Sequence, residues 1–239
     1  MANTNSLDLE LDSSQYAGIS DATQTGLDIT GDITIEAWIK VESTPAAGVY
    51  YPIVTKGHTS TKRGYYFEYH KSGGGTERLG CLISDNGSSV SEHYKSFAPT
   101  TGVWYHVAMT YDVSAGTAEF FVNGSTLGTV ASGKTSIFDN DGEFHIGENE
   151  GAYFDGLVDE VRVWNDIRTS GEISANYQTE LVGDEANLVG YWKFNNNYLD
   201  ETTNNNDLTS SGSPVFSTDV PFTGATTRVH NLGTLGVGA

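Results

Sequence analysis

The amino-acid sequence predicts an all-β protein, in which two antiparallel sheets pack face to face as a jelly-roll β-sandwich with one short helix. Three observations predict this class. Apolar and polar residues alternate with a period of two in segments spread along the whole chain. Glycine, asparagine, aspartate and serine separate these segments. Only one segment has helical spacing. Because each alternating strand has an apolar face to bury, we expect two sheets that cover each other.

The alternation places the strands in order. They are predicted at 7–11, 33–41, 50–56, 64–70, 78–84, 103–111, 118–122, 125–130, 143–147, 154–165, 188–194 and 215–216. The strand at 33–41 is apolar on one face and carries Trp38 on the other, which favours a central position. The side chains predicted to face the core include Ile35, Ala37, Ile39, Val107, Met109, Val161 and Val163. Cys81 is the only cysteine, so we expect a buried thiol and no disulfide.

Two local motifs predict a turn and the helix. Asn123-Gly124 separates two alternating segments, and this dipeptide is typical of a tight hairpin turn with positive φ angles. Thr169 and Glu172 have the spacing of a capping box, and Ile173 and Tyr177 lie four residues apart. A helix of two turns is therefore expected at about 170–178.

The composition excludes two classes of partner. Twelve Lys and Arg residues against 31 Asp and Glu residues give a formal net charge of −19, which repels phosphate backbones and anionic membrane surfaces. We therefore expect no nucleic acid as a partner. No segment approaches the length of an apolar membrane span, so we expect no membrane insertion either. The N-terminal residues lack the pattern of a secretory leader, so we expect either a leader that was removed or export by another route.

Several segments together resemble one family. These are 31–41, 101–112, 118–129, 154–177 and 188–207, and the most specific is FDGLVDEVRVWN at 154–165. They are similar, in the same order, to the laminin-G-like jelly roll of the concanavalin A-like lectin/glucanase superfamily, over about residues 5–217. The resemblance implies a concanavalin A-like sandwich that binds rather than catalyses. We place this domain at 1–222 and interpret 223–239 as a Gly-rich tail or arm.

The sequence lacks the catalytic pattern of the related glucanases. Those enzymes carry Glu-x-Asp-x-x-Glu on one strand, so that two carboxylates face the same cleft. Here Asp159 and Glu160 are adjacent, and strand alternation predicts that they point to opposite faces. We therefore predict that the protein is not an enzyme.

Two acidic segments are candidates for calcium, which prefers six to eight oxygen ligands. The first is the loop with Asp200, Asn204 and Asn206, and the resemblance implies a structural calcium there, completed by Asp159 and Asp12. The alternative is that these residues only form turns. The second candidate cluster contains Asp139, Asp141, Glu143 and Glu148.

Aromatic residues near predicted loops are candidates for sugar binding, because flat rings stack on pyranose faces. The candidate ligand-binding residues are Tyr50, Tyr51, Tyr65, Tyr66, His93, Tyr94 and Tyr153. Trp38, Trp164 and Trp192 are interpreted as core residues instead.

Two functions of different class fit these observations. The first is a non-catalytic carbohydrate-binding or adhesion module with structural calcium, which would be extracellular or at the cell surface and would bind a carbohydrate or a glycoprotein surface. The second is a structural assembly protein, such as a virion surface or appendage subunit. In that case the tail at 223–239 would wrap a neighbouring subunit in a homo-oligomer or larger assembly.

Overall fold

The computed structural model describes residues 3–57, 59–131 and 133–223. In chain order the strands are β1 (Ser6–Leu9), β2 (Tyr16–Ile19), β3 (Ile33–Val41), β4 (Tyr50–Lys56), β5 (Arg63–Lys71), β6 (Glu77–Gly87), β7 (Val90–Ser96), β8 (Tyr105–Asp112), β9 (Thr117–Val122), β10 (Ser125–Ala131), β11 (Phe144–Ile146), β12 (Glu148–Asn149), β13 (Ala152–Tyr153), β14 (Gly156–Trp164), β15 (Leu188–Trp192), β16 (Thr209–Ser211) and β17 (Val215–Ser217). The helix α1 spans Ser170–Asn176. Within the described residues, no helix has the length and apolar character needed to cross a membrane.

The strands form two large antiparallel sheets, which confirms the predicted sandwich. Sheet A has the order β10-β9-β8-β3-β14-β1-β17, with β15 also paired to β14. Sheet B has the order β16-β2-β11-β4-β5-β6-β7, and β12 and β13 form a separate ribbon. The strand β3 lies between β8 and β14, so its predicted central position is confirmed.

The core lies between the two sheets and contains the residues predicted to fill it. Ile35, Ala37, Ile39, Val107, Met109, Val161 and Val163 are all buried in one apolar cluster, together with Cys81. Trp38 is on the outer face of sheet A, where its Nε1 donates to the Tyr177 carbonyl at 2.8 Å. The predicted strand register is therefore correct for β3, β8 and the second half of β14.

The local motifs also form as expected. Asn123 and Gly124 have φ angles of 48° and 73°, and β9 pairs with β10 across them. Thr169 caps α1, and its hydroxyl and the Glu172 side chain complete the capping box. Several predicted boundaries differ by one to three residues. The start of the strand predicted at 103–111 is an example, because β8 begins at Tyr105 and Val103 is exposed.

A bulge in β14 corrects the prediction for the adjacent acids. Asp159 lies opposite Trp38 and Arg162 lies opposite Glu36, so β14 contains one extra residue between these pairs. Glu160 sits at this bulge with a φ angle of 50°, and its N–H donates to Asp159 Oδ1 at 2.8 Å. Both acids are therefore on the outer side of sheet A, and the prediction of opposite faces was wrong.

Three strands of sheet B were not predicted: β2, β7 and β16. The first two position the clefts described below. Their sequences alternate weakly, and β7 reads VSEHYKS, with only one buried side chain, His93. At the other end, β17 closes sheet A beside β1. Of the predicted tail, only Thr223 is described, and 224–239 lie outside the described residues.

Candidate functional site: a tyrosine-lined cleft on sheet B

The outer face of sheet B carries a cleft of about 310 Å³, which we call the tyrosine cleft. Its residues come from β4, β5, β6 and β7, and the ribbon β12–β13 borders one side. The side chains used in the argument below are Tyr50, Tyr66, Glu68, Glu92, Tyr94 and Asn149.

Strand alternation decides which predicted rings reach this cleft. Consecutive side chains on a strand point to opposite faces, so only one member of each adjacent pair can face outward. Tyr50, Tyr66 and Tyr94 line the cleft. Their neighbours face the core instead, and the prediction is wrong for these three residues: Tyr51, Tyr65 and His93 are 3%, 1% and 0% exposed.

Gly80 makes room for Tyr94 in the floor of the cleft. On β6, Gly80 lies between Glu68 on β5 and Tyr94 on β7 in the strand register. A Cβ atom at this position would lie 2.6 Å from Tyr94 Cε1 and 2.9 Å from Glu68 Cγ. The absence of a side chain therefore lets the Tyr94 ring lie across β6 and reach Glu68.

Glu68 is a buried carboxylate in this floor. It is 2% exposed, and its Oε1 lies 3.4 Å from His70 Nδ1 and 3.5 Å from Tyr94 Oη. Burial raises the pKa of Glu68, and the nearby Glu92 carboxylate raises it further, against the opposing contacts of His70 and Tyr94. Because the pKa in the folded state lies above the unfolded value, stability is lost as Glu68 ionises with rising pH. A buried carboxylate in a cleft, with a pKa shifted by its surroundings, is typical of a functional site.

The tyrosine hydroxyls of the cleft remain protonated at neutral pH. Burial, with smaller effects from Glu68, Glu150 and Glu148, raises the pKa of Tyr50 to about 12. Burial also raises the pKa values of Tyr66 and Tyr94. Tyr50 and Tyr94 are partly exposed and present neutral rings and hydroxyls to the cleft. Tyr66 is 2% exposed and its hydroxyl donates to the Gly57 carbonyl, so it belongs to the floor.

Asn149 contributes an unused acceptor. Its residue is 4% exposed, and its Oδ1 has no hydrogen-bond partner among the described residues. Its Nδ2 donates to Tyr50 Oη at 3.4 Å, and Tyr50 Oη donates to the Asn149 carbonyl at 3.3 Å. A buried amide oxygen without a partner is costly, so a polar ligand group that donates to it would bind favourably.

The cationic groups beside the cleft already have partners. Arg63 makes a bidentate ion pair with Glu150, with contacts of 2.8 to 3.0 Å, and also donates to the Ser88 carbonyl. Arg78 stacks on Tyr94, with its guanidinium carbon 3.5 Å from the ring centroid. The cleft therefore offers mainly aromatic faces and oxygen acceptors.

A second cleft of about 320 Å³ lies on the same face, between β2, β11 and β16. His145 lies in it between two carboxylates, 2.9 Å from Glu143 and 2.5 Å from Glu148. The ring of Tyr16 lies 4.6 Å from that of His145, and the predicted ligand residue Tyr153 is 6.5 Å from Tyr16. Tyr153 therefore belongs beside this second cleft.

The first predicted calcium loop is closed by protein hydrogen bonds. Asp200 Oδ1 accepts from the backbone N–H groups of Tyr191 and Thr202, and Oδ2 accepts from Thr202 Oγ1 and the Asn206 N–H, all within 3.0 Å. The Asn206 side chain accepts from the Thr25 N–H and donates to the Thr25 carbonyl. Asn204 Nδ2 donates to the Val189 carbonyl. Asp200 thus holds the turn through both carboxylate oxygens, and calcium at this loop stays a prediction.

The other predicted calcium ligands do not join that loop. Asp159 is buried on the outer side of sheet A, where Asn3 Nδ2 donates to it at 2.8 Å. Asp12 is exposed in a single 3₁₀ turn at Leu11–Ser13. These residues do not fit a shared ion site with Asp200.

The second predicted cluster is divided between two places. Asp141 pairs with Lys62 at 3.0 Å, and Asp139 lies in the same open depression. Glu143 and Glu148 flank His145 instead. The four acids therefore lie at two separate sites and do not form one cluster.

Within the described ranges, one group of three acids has ligand atoms within 4.8 Å of one another: Asp8, Glu10 and Glu42. Burial raises the pKa of Asp8, and Asp155 raises it further, against the effect of Lys40. Burial also raises the pKa of Glu42, and Asp8, Glu10 and Asp155 add to the shift. Sequence spacing could not identify this group, because Asp8 and Glu10 lie in and just after β1, whereas Glu42 follows β3.

Comparison with known proteins gives a family and a set of folds. A family model described as the concanavalin A-like lectin/glucanases superfamily matches residues 11–174. No curated protein matches the chain at a significant level.

A Bacteroides ovatus ATCC 8483 protein proposed to bind carbohydrate has a similar structure, with a TM-score of 0.69 and 20% identity over 91% of this chain and 60% of that chain. The native heptameric SAP-like pentraxin from Limulus polyphemus has a TM-score of 0.63 and 16% identity, over 90% of this chain and 94% of that chain. Identities this low show the shared fold.

Proposed function

This chain belongs to the concanavalin A-like lectin/glucanase superfamily, and from that premise we propose that it is a non-catalytic carbohydrate-binding or adhesion module whose site is the tyrosine cleft. The fold alone does not select a function. The observation that carries the proposal is the combination, in one cleft, of two partly exposed tyrosine rings, Tyr50 and Tyr94, with the unpartnered Asn149 Oδ1. Rings that stack on a sugar and buried acceptors that orient its hydroxyls are what a glycan site requires.

Two further features support this assignment. The structure that resembles this chain at a TM-score of 0.69 is that of a protein proposed to bind carbohydrate, although this chain covers 60% of it. The cleft is also open on the outer face of a sheet, where an extended chain of sugars could lie across β4 to β7. A module of this kind acts outside the cell or at its surface, which is the location that we propose.

The tyrosine cleft does bring carboxylates together, so catalysis has to be tested directly. Glu68 on β5 and Glu92 on β7 are close enough for Glu92 to raise the pKa of Glu68. Two carboxylates that flank a bond are the requirement for glycoside hydrolysis. We propose binding because the sequence lacks the Glu-x-Asp-x-x-Glu pattern of the related glucanases, and the Glu68 carboxylate is held by His70 and the Tyr94 hydroxyl. Release of reducing ends from a glycan that binds would contradict this proposal.

Alanine in place of Tyr94 is expected to weaken glycan binding by about tenfold or more, because one stacking face and one wall of the cleft are lost. The measurement is calorimetric titration with the best ligand from a broad glycan array. Tyr94 is only partly buried on the edge strand β7, so the variant should fold. Tyr153→Ala is the matched control, because Tyr153 lies beside the second cleft. If only Tyr153→Ala loses binding, the glycan site is the second cleft. If no glycan on the array binds, the assembly function is favoured instead.

The predicted calcium loop is tested separately. Replacing Asp200 with asparagine is expected to lower the free energy of unfolding by about 2 kcal/mol, because the amide N–H₂ cannot accept the donors that now point at one oxygen. We expect this loss to be the same with chelator and with calcium, since protein donors occupy the carboxylate. Thermal melts of the wild type and Asp200→Asn, with chelator and with calcium, test this expectation. Asp8→Asn, which alters the separate acidic group of Asp8, Glu10 and Glu42, is the control. A calcium-dependent rise in Tm that only Asp200→Asn removes would contradict this expectation and restore the predicted calcium loop.

A further inference from the structure

We infer that the tyrosine cleft selects a glycan that carries a protonated primary amine, such as a glucosamine unit, and that Glu68 and Asn149 bind the ammonium group. The inference rests on the proposed function and names its ligand class. It predicts discrimination against the N-acetylated form of the same sugar and against sulfated or carboxylated glycans.

The charge distribution of the cleft gives the first argument. Three carboxylates line it, those of Glu68, Glu92 and Glu150. The only lysine or arginine among its lining residues is Arg63, which makes a bidentate ion pair with Glu150. Arg78 lies beside the cleft, where it stacks on Tyr94, so two arginines stand against three carboxylates. Glu68 and Glu92 therefore have no arginine or lysine ion pair within the described residues. A ligand cation would supply the missing positive charge, whereas a sulfate or carboxylate would meet repulsion.

The free polar atoms of the cleft give the second argument, because they are acceptors. Asn149 Oδ1 is buried and has no partner in the described part of the chain. Both polar contacts of the Glu68 carboxylate use Oε1, which leaves Oε2 for a ligand. An ammonium group has three donors and no acceptor, so it satisfies such atoms better than a hydroxyl does. Hydrogen bonds from a charged donor to a carboxylate are also the stronger kind.

The aromatic rings give the third argument. The faces of tyrosine rings are electron-rich and attract cations. Tyr50 and Tyr94 both approach His70 edge-on, with ring centroids 6.4 and 5.2 Å away, so the rings form an arc around the side chain next to Glu68. Arg78 already occupies one face of Tyr94, with its guanidinium carbon 3.5 Å from the ring centroid, so Tyr50 is the ring left for the ligand cation. The sugar ring can stack on the tyrosines while its ammonium group lies against the carboxylate.

The test compares two matched probes, a glucosamine hexasaccharide and an N-acetylglucosamine hexasaccharide, by calorimetric titration of the full chain. We expect the first to bind about tenfold tighter or more, because acetylation removes the charge and two of the donors. Raising sodium chloride from about 0.05 to about 0.5 M should weaken only the amine-bearing probe, because salt screens the ion pair.

Glu68→Gln is the diagnostic variant. It keeps the shape and removes the charge, so glucosamine binding should fall to the level of the acetylated probe. Glu119→Gln, on β9 of sheet A, is the control and should bind as the wild type does. Spermidine serves as a cation without a sugar and should bind weakly.

Three results would overturn the inference: equal or tighter binding of the acetylated probe, full binding in Glu68→Gln, or spermidine binding as tightly as the sugar. If a neutral or anionic glycan binds and the glucosamine probe does not, the inference fails while the proposed function stands. If no glycan on the array binds, the proposed function itself fails.

Discussion

Replacing Arg162 with alanine is expected to lower the free energy of unfolding by about 3–5 kcal/mol, because it leaves buried carboxylates without their cation. Arg162 is fully buried on the outer side of sheet A, beneath the segment that contains α1. Its guanidinium donates to Glu160 Oε2 at 3.1 Å and lies 3.8 Å from Glu36 Oε2. It also donates to the carbonyls of Asn176 and Thr179, so it connects β14 to the end of α1 and the turn after it.

The pKa shifts explain why this loss should be large. Burial raises the pKa of Glu160, and Arg162 is the main group that opposes this shift. Burial also raises the pKa of Glu36, but His106 and Arg162 outweigh it, so the net pKa of Glu36 is lowered. Without Arg162, both acids would have to take up protons or remain charged in a dry environment.

Chemical denaturation of the wild type, Arg162→Ala and Arg168→Ala measures this effect. Arg168 is the matched control, because it makes ion pairs with Asp166 and Glu172 at a partly exposed position. Its loss should cost about 1 kcal/mol or less. A change below about 1 kcal/mol in Arg162→Ala would show that the buried carboxylates do not depend on the guanidinium.

Replacing Gly156 with alanine is expected to destabilise the protein by about 3 kcal/mol or more, through backbone strain and overpacking together. Gly156 begins β14 with a φ angle of 134°, which residues with a side chain rarely adopt. A Cβ atom would lie 2.2 Å from the Lys40 carbonyl oxygen and 3.0 Å from the Glu42 nitrogen. Both are backbone atoms at the end of β3 and just beyond it, so the strands would have to separate.

The matched control is Gly171→Ala in α1. There the nearest atom to an added Cβ is Thr169 Oγ1 at 3.9 Å, and the backbone is helical. Alanine is the better helix former, so this variant should be neutral or slightly more stable. Equal melting temperatures for the two variants would contradict the role assigned to Gly156.

Much of the fold was predictable because its signals are local. Alternation identified β3, β8 and β14 and the residues that they bury, and the Asn123-Gly124 turn and the Thr169 cap are encoded within a few residues. The edge strand β7 was missed because an edge strand needs only a partly apolar face. The family resemblance extended the prediction to the whole sandwich.

The candidate site was predictable only in part. Sequence reasoning found Tyr50, Tyr66 and Tyr94, but it could not separate them from Tyr51, Tyr65 and His93, because the choice depends on which face the other sheet covers. It did not identify Glu68 or Asn149. A glutamate between two aromatic residues in an apolar strand was the one available signal for Glu68.

The sequence by itself determined the all-β class, the strand faces and the capped helix, because the periodicity of neighbouring residues is a short-range property. Only the tertiary structure decided which distant groups meet. Tyr50 and Asn149 are 99 residues apart in the chain, and Glu68 and Tyr94 are 26 apart. The β14 bulge brought Asp159 and Glu160 to one side, and hydrogen-bond donors from three residues saturated Asp200. Strand order and packing bring these groups together, and no local pattern encodes them.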